Sequence, residues 1–255
     1  MIMMNIYLNV DDNYLKYASV MLFSLRENNP HTEINVYILF TDINEVNWNQ
    51  FKIYLKELNI ELFPVKIERD FFIEFPDTGR WSLETYFRLM IPMVTDCSME
   101  RCLYLDADII VDGSISELYD MSFSGKSLVV GKDTVVMRDK RNEVVFNAGV
   151  MLLNLCDIKK DYSFDRISSM IVNNPEKYPM LDQDILNDIY KERVKYFDSG
   201  IFNRQVNCYD VNARRNSIIY HYSISPKPWI ADGENEYFRL WWEYANRCEY
   251  FISHV

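Results

Sequence analysis

Glycine is the first shortage, with seven in 255 residues. A loop that wraps phosphates in backbone amides needs several glycines close together. Neither G-x-x-x-x-G-K-[ST] nor G-x-G-x-x-G occurs. Basic residues are also few: 27 Lys and Arg stand against 38 Asp and Glu, for a formal net charge of −11. That balance argues against broad nucleic-acid binding and against a strongly cationic membrane surface. It leaves room for an anionic ligand where a metal and a few placed basic side chains reverse the potential locally. No apolar run approaches the length of a membrane span, so none is expected. The opening Met-Ile-Met-Met-Asn has no basic n-region and no long apolar h-region, so no signal peptide is expected. The five cysteines, Cys97, Cys102, Cys156, Cys208 and Cys248, are odd in number and form no C-x-x-C. They read as reduced, mostly structural thiols of a cytoplasmic chain.

What the chain does have is alternation. Residues 2–10 read as a buried strand ending at Asp11-Asp12-Asn13. Tyr14, Tyr17, Ala18, Met21, Leu22 and Leu25 then recur at the spacing of one helix face. Asp11 or Asn13 is N-cap chemistry for that helix. Strands are expected at 34–40 and 60–65, with a helix between them that starts near Asn44. Strand–helix alternation of this kind implies a mainly parallel α/β sheet with right-handed crossovers. A longer loop follows over 66–80, and 81–93 reads as a helix carrying Arg88. Further strands are expected at 128–130, 146–155 and 217–220. Helices are expected near 114–119, over 157–172, from about 181 and over 235–252. The charged segment 132–143 reads as a mobile lid. Asp182 is a candidate cap, with Asp184 in the first turn. No repeat, low-complexity tract or compositional linker divides the chain, so one domain is expected.

The stretch that organises the rest is Cys102-Leu103-Tyr104-Leu105-Asp106-Ala107-Asp108-Ile109-Ile110-Val111. Two carboxylates one residue apart follow a buried strand. If the extended geometry holds through both, they point to the same face. Close like charges need a proton or a cation between them. A hard divalent metal that shares a substrate's phosphates is the natural occupant. The plain alternative is a solvated turn. His221, at the end of a strand, has the plain reading of a satisfied core histidine.

Six ordered blocks resemble glycosyltransferase family 8, and within it the bacterial lipopolysaccharide galactosyl- and glucosyltransferases. They are Asp11-Asp12-Asn13-Tyr14, Tyr86-Phe87-Arg88-Leu89, Tyr104-Leu105-Asp106-Ala107-Asp108, Phe146-Asn147-Ala148-Gly149-Val150, Asp182-Gln183-Asp184-Ile185-Leu186-Asn187 and His221-Tyr222…Lys227-Pro228-Trp229. The resemblance covers about residues 2–230. It implies the GT-A fold, a Mn²⁺ (or Mg²⁺) cofactor and a UDP-hexose donor transferred with retention to a glycan or glycolipid. It places the metal on Asp106, Asp108 and His221. Asn9, Asp11, Asn13 and Tyr14 would line the uridine pocket, Lys227 would meet the diphosphate, and Arg88 would reach the donor sugar. Asn147, Ala148, Asp182 and Gln183 would surround the hexose, with Gln183 nearest the anomeric carbon. Under this reading residues 1–110 form the nucleotide-binding half, 111–230 the donor and acceptor half, and 231–255 a C-terminal aromatic helix. One departure is Ile224, where the family usually has glycine near the diphosphate. Glucose and galactose both remain open as the sugar. Three alternatives remain: an inactive relative that binds nucleotide sugar, a metal-dependent phosphatase of the haloacid dehalogenase type, and self-glucosylation on a tyrosine.

Overall fold

The apolar alternation at the N-terminus becomes β1 (Met3–Asn9), which pairs in parallel with β2 (Glu33–Phe40), itself parallel to β3 (Ile60–Lys66). The computed structural model describes residues 3–76, 82–134, 144–207, 216–231 and 235–254. The helices Leu15–Asn28 and Glu45–Glu57 link these strands, and both bury their apolar faces in one core cluster. Successive right-handed crossovers in one direction put both helices on the same face of the sheet. Asn44 caps the second helix, its side chain accepting from the amides of Val46 and Asn47.

After β3 the chain reverses direction and crosses to β4 (Arg101–Leu105), on the other side of β1. The connecting segment therefore packs on the opposite face, through Phe72, Tyr86, Phe87 and Met90. It is not the single helix expected over 81–93. A 3₁₀ run, Leu83–Met90, leads into one α turn, Ile91–Val94. Pro92 has no amide to donate but sits where a new helix tolerates it. The rest of the sheet adds β7 (Phe146–Asn154), β6 (Leu128–Lys132) and β8 (Val194–Phe197), in the order β3-β2-β1-β4-β7-β6-β8. Among the described residues only β7 runs against the others. A small second sheet joins β5 (Ile109–Val111), β10 (Ile219–His221) and β9 (Arg204–Gln205).

Strand β7 carries a large irregularity. One step along β6, from Val130 to Gly131, spans four along β7, from Met151 to Asn147. The extra residues include Ala148 and Gly149, and they flip the alternation. Ala148 joins the same core cluster as Met151 instead of the opposite one. Bulges of this kind re-aim side chains beside functional sites.

Two expected helices are broken. The segment 157–172 is a short turn, Leu155–Ile158, then a separate helix, Phe164–Asn173, capped by Ser163. The C-terminal helix is Glu236–Ala245 followed by Glu249–Ile252. Tyr237, Phe238, Trp241 and Tyr244 of that segment are core. Cys102 and Cys248 are buried, while Cys97 and Cys156 are exposed, so the expectation of mostly structural thiols holds for two of them. Cys208 lies outside the described residues, as does the 135–143 portion of the expected lid. Among the described residues no helix is long and apolar enough to cross a membrane.

Asp157 ties three strand ends together. Its Oδ2 accepts from Ser127 Oγ at 2.7 Å, just before β6, and from Arg193 Nη2 at 2.8 Å, just before β8. The Arg193 and Ser127 hydrogen bonds hold its carboxyl down to about 2, below its ordinary 3.8. A depressed carboxyl stabilises the fold above its unfolded pKa and loses that contribution as pH falls through the folded one. The pair is partly solvent-exposed, so the worth is only about 1 kcal/mol. Asp157→Asn is expected to lower the calorimetric Tm by roughly 2–4 °C at neutral pH, and by much less near pH 2.

Candidate active site

The reversal of strand order between β1 and β4 creates a topological switch point. In open α/β sheets the crevice beyond the strand ends at such a point is the usual ligand site. A cavity of about 640 Å³ opens there. Asn9 ends β1 and Asp106 follows β4. Tyr104 joins them, its hydroxyl meeting Asn9 Oδ1 and Asp106 Oδ1.

Asp106 and Asp108 do converge, but not by the pleat of one strand. β4 ends at Leu105, a turn carries both aspartates, and the chain enters the small sheet at Ile109. Leaving one sheet for another is what brings them against β10 and His221. Asp108 Oδ1 lies 3.2 Å and Asp106 Oδ2 3.5 Å from His221 Nε2. Each residue is held by its other polar atom. Arg88 Nη2 sits 2.9 Å from Asp106 Oδ1, Lys227 Nζ 2.7 Å from Asp108 Oδ2, and Asn203 Oδ1 2.9 Å from His221 Nδ1. The three remaining atoms face one another within 4.8 Å. Two of them, Asp108 Oδ1 and His221 Nε2, are buried without a hydrogen-bond partner. Two carboxylate oxygens and one imidazole nitrogen, turned toward one another, fit a divalent cation.

The electrostatics agree. Burial raises both aspartates, but Lys227 and His221 overcome it at Asp108, and Arg88 and His221 at Asp106, so both carboxyls titrate low. Burial lowers His221, yet the two carboxylates outweigh it and lift the imidazole to about 9. A proton on His221 and a divalent cation are alternative ways of neutralising the same pair.

Arg88 is buried at 9 % exposure rather than lying along the surface. Besides Asp106 it meets Asp182 Oδ2 at 2.9 Å through Nε and donates to the Ala148 carbonyl at 2.7 Å. Asp182 does not cap its helix, Asp182–Tyr190. Leu181 precedes it with φ +51°, and Asp184 Oδ2 bonds back to the Met180 amide at 2.8 Å. Freed from capping, Asp182 points at Arg88. Burial outweighs Arg88 there and pushes its carboxyl up to about 7.

The bulged segment meets this helix. Ala148 N donates to Gln183 Oε1 at 3.1 Å, Asn147 Nδ2 to the same oxygen at 3.2 Å, and Gly149 N to Asn147 Oδ1 at 3.0 Å. Gln183 Nε2 donates to Asp133 Oδ2 at 2.9 Å, and Asn203 Nδ2 to Asn147 Oδ1 at 3.0 Å.

Asn9, Asp11, Tyr14, Arg88, Asp106, Asp108, Asn147, Ala148, Asp182, Gln183, His221 and Lys227 all line the cavity, as does Ile224. Asn13 is exposed and stands outside its wall. Neither Asp11 nor Asn13 caps the first helix: Tyr14 stands at its N-cap with no side-chain cap, and Asp11 Oδ1 accepts from Tyr14 N at 2.8 Å in the turn before it. Sequence reading missed Asn203, Tyr104 as a tether, and the buried Glu84, which accepts from Thr41 Oγ1 at 2.9 Å. Tyr104 sits inside the organising stretch and could have been singled out. Asn203 and Glu84 stand in segments with no motif of their own.

A crevice at the switch point is lined by an acidic pair, an imidazole and a lysine, a set of groups that could hold a cation beside an anion. The description "Glycosyl transferase family 8" matches residues 5–233. The chain belongs to glycosyltransferase family 8; it is a glycosyltransferase with the GT-A fold. It is 30 % identical over 247 residues to a putative glycosyltransferase of Haemophilus influenzae, covering 89 % of this chain and 73 % of the relative. It is 26 % identical to the lipopolysaccharide 1,3-galactosyltransferase of Salmonella typhimurium, covering 90 % and 74 %. The crystal structure of the galactosyltransferase LgtC in complex with donor and acceptor sugar analogs superposes with a TM-score of 0.82 at 28 % identity, over 96 % of each chain. The phosphatase alternative falls with this assignment.

Proposed function

We propose that this chain is a retaining hexosyltransferase that moves glucose or galactose from a UDP-sugar to a glycan or glycolipid, with Mn²⁺ (or Mg²⁺) as its cation. The setting is the synthesis of a bacterial cell-surface polysaccharide, at the cytoplasmic side with at most peripheral membrane contact. The observation that carries this reading is the convergence of Asp106 Oδ2, Asp108 Oδ1 and His221 Nε2 beside Lys227, in the switch-point cavity. The lipopolysaccharide glucosyl- and galactosyltransferases among its relatives support the sugar class.

Held by Asp106, Asp108 and His221, a divalent cation would neutralise the diphosphate and the charge that leaves with it. Lys227 stands beside the same acidic pair. Its ammonium, now on Asp108 and the Tyr222 carbonyl, can turn a donor toward a departing phosphate oxygen. One such donor is worth roughly 10²–10³ in rate. Asn9, Asp11 and Tyr14, at the end of β1, are the wall for the nucleoside. Arg88, Asn147, Ala148, Asp182 and Gln183 form the opposite wall, for the hexose.

Retention is assigned to attack on the face the diphosphate leaves. The bond from the anomeric carbon to the phosphate oxygen breaks, the acceptor oxygen forms the new one, and its proton passes to that phosphate oxygen. Two features support this over a covalent intermediate. Gln183 Oε1 already receives two hydrogen bonds, and amide oxygen is a weak nucleophile. The Asp182 carboxyl is committed to Arg88, and its burial disfavours the free, nucleophilic carboxylate.

The test is UDP release from a panel of UDP-sugars, with and without Mn²⁺. One UDP-hexose is expected to be cleaved slowly and only with the metal. Asp108→Ala is expected to reduce this by about 10³-fold or more. Metal-independent release, or full activity in Asp108→Ala, would sink the metal assignment. Tight UDP–Mn²⁺ binding with no cleavage, even with glycan acceptors supplied, would favour the inactive relative.

A further inference from the structure

Asn203 is fully buried and stands outside the cavity wall, yet it touches two residues that line it. Its Oδ1 lies 2.9 Å from His221 Nδ1 and its Nδ2 lies 3.0 Å from Asn147 Oδ1. The direction of this contact is settled by the backbone. The Gly149 amide can only donate, so the Asn147 atom it meets is the oxygen. The Asn203 atom facing that oxygen must then be the NH₂, and its carbonyl must face His221. Gln183 confirms the orientation from the other side: the Ala148 amide fixes Oε1, which takes the Asn147 NH₂, and Gln183 Nε2 faces the carboxylate of Asp133. Three side-chain amides thus point one way, from Asp133 to His221.

We infer that Asn203 is a positioning residue that keeps the proton of His221 on Nδ1 and leaves the Nε2 lone pair for the cation. This rests on the metal assignment proposed above. A neutral imidazole left to itself beside two carboxylates would place its proton on Nε2, where Asp106 and Asp108 can accept it, and would turn no lone pair to the metal. Asn203 opposes that choice by offering an acceptor to Nδ1. Both partners are at most 1 % exposed, so water does not compete for the bond. The relay also joins the cation site to Gln183 at the proposed hexose wall. A ligand that moves the Gln183 amide therefore reaches His221 through Asn147 and Asn203.

The first measurement needs no variant and no turnover. In ¹⁵N-histidine protein loaded with Cd²⁺, His221 is expected to coordinate through Nε2 and to carry a slowly exchanging proton on Nδ1. Coordination through Nδ1, or an Nδ1 proton that exchanges at the solvent rate, overturns the inference. The second is Mn²⁺ titration by calorimetry on metal-stripped protein. Asn203→Leu, which keeps the volume and removes the acceptor, is expected to weaken Mn²⁺ binding about 10–100-fold. Natural-chain affinity in a folded Asn203→Leu overturns it. A natural chain that takes up neither Mn²⁺ nor Cd²⁺ overturns the metal assignment itself, and this inference with it.

Discussion

Gly149→Ala is expected to cost roughly a hundredfold in Mn²⁺ affinity and in metal-dependent cleavage of the donor, with the fold retained. A Cβ at residue 149 would stand 2.2 Å from His221 Cε1, 2.7 Å from Asp106 Oδ2 and 2.9 Å from His221 Nδ1. Neither neighbour can swing away freely. His221 is held by Asn203, and Asp106 by Arg88 and Tyr104. The methyl therefore pushes two of the three proposed ligands out of place. Gly131→Ala is the control. There the new Cβ meets Phe197 at 2.7 Å and Ser199 Oγ at 2.9 Å, so it should lower the Tm and leave Mn²⁺ affinity near that of the natural chain. Calorimetric Mn²⁺ titration of both variants separates the two effects. Unchanged binding in Gly149→Ala would mean that the cation does not sit among these residues.

The second large effect is Arg88→Met, expected to destabilise the protein by about 3–5 kcal/mol. The guanidinium partners Asp106 and Asp182 and satisfies the Ala148 carbonyl, all with almost no access to water. Methionine fills the volume and answers none of them. Asp182 is the more exposed to loss of its partner, because Asp106 keeps His221 and Tyr104. Removing one member of a buried ion pair strands the other's charge, whereas removing both does not. Arg88→Met combined with Asp182→Asn is therefore expected to recover a large part of the loss. The pH dependence follows from the sign of the Asp182 shift. Its folded carboxyl, already raised to about 7 from 3.8, rises further without Arg88, so the folded state resists ionisation that the unfolded state accepts. The deficit of Arg88→Met should be nearly constant from about pH 5 to pH 6 and widen as pH rises from about 7 to 8 and beyond. Urea unfolding across that range checks it, and a deficit that shrinks with rising pH would contradict the role given to Arg88.

Local periodicity was enough for the first strands and helices, because each is a single element whose pattern is written over a few residues. Glu33–Phe40, Ile60–Lys66 and the Asn44-capped helix lie within a residue or so of where the pattern put them. It failed where one apolar pattern serves two elements. The 81–93 and 235–252 segments keep helical spacing across a change of helix type or a break, and periodicity does not register a bend. The candidate site divides the same way. Asp106 and Asp108 were legible because two carboxylates after a buried strand have few ordinary uses, whereas His221 and Lys227 were singled out by the resemblance to the family. Asn203 was not legible, since a buried asparagine carries no spacing, charge or motif, and its meaning depends on partners 18 and 56 positions away.

The amino-acid sequence by itself determined the class of the protein: an alternating α/β chain with two aimed carboxylates, a distant histidine and lysine, and the ordered blocks of glycosyltransferase family 8. Short-range chemistry carries that much, because strands, helices and motifs are written over a few residues. Only the tertiary structure decided how the carboxylates come together. They do so by a turn between two sheets and not by the pleat of one strand. Only it showed that a bulge in β7 drives Gly149 against His221, and that each proposed ligand is held by its far atom so that its near atom is free. Those are relations between separate segments, as distant as Asp108 and Lys227, and they exist only after the sheet has closed around them.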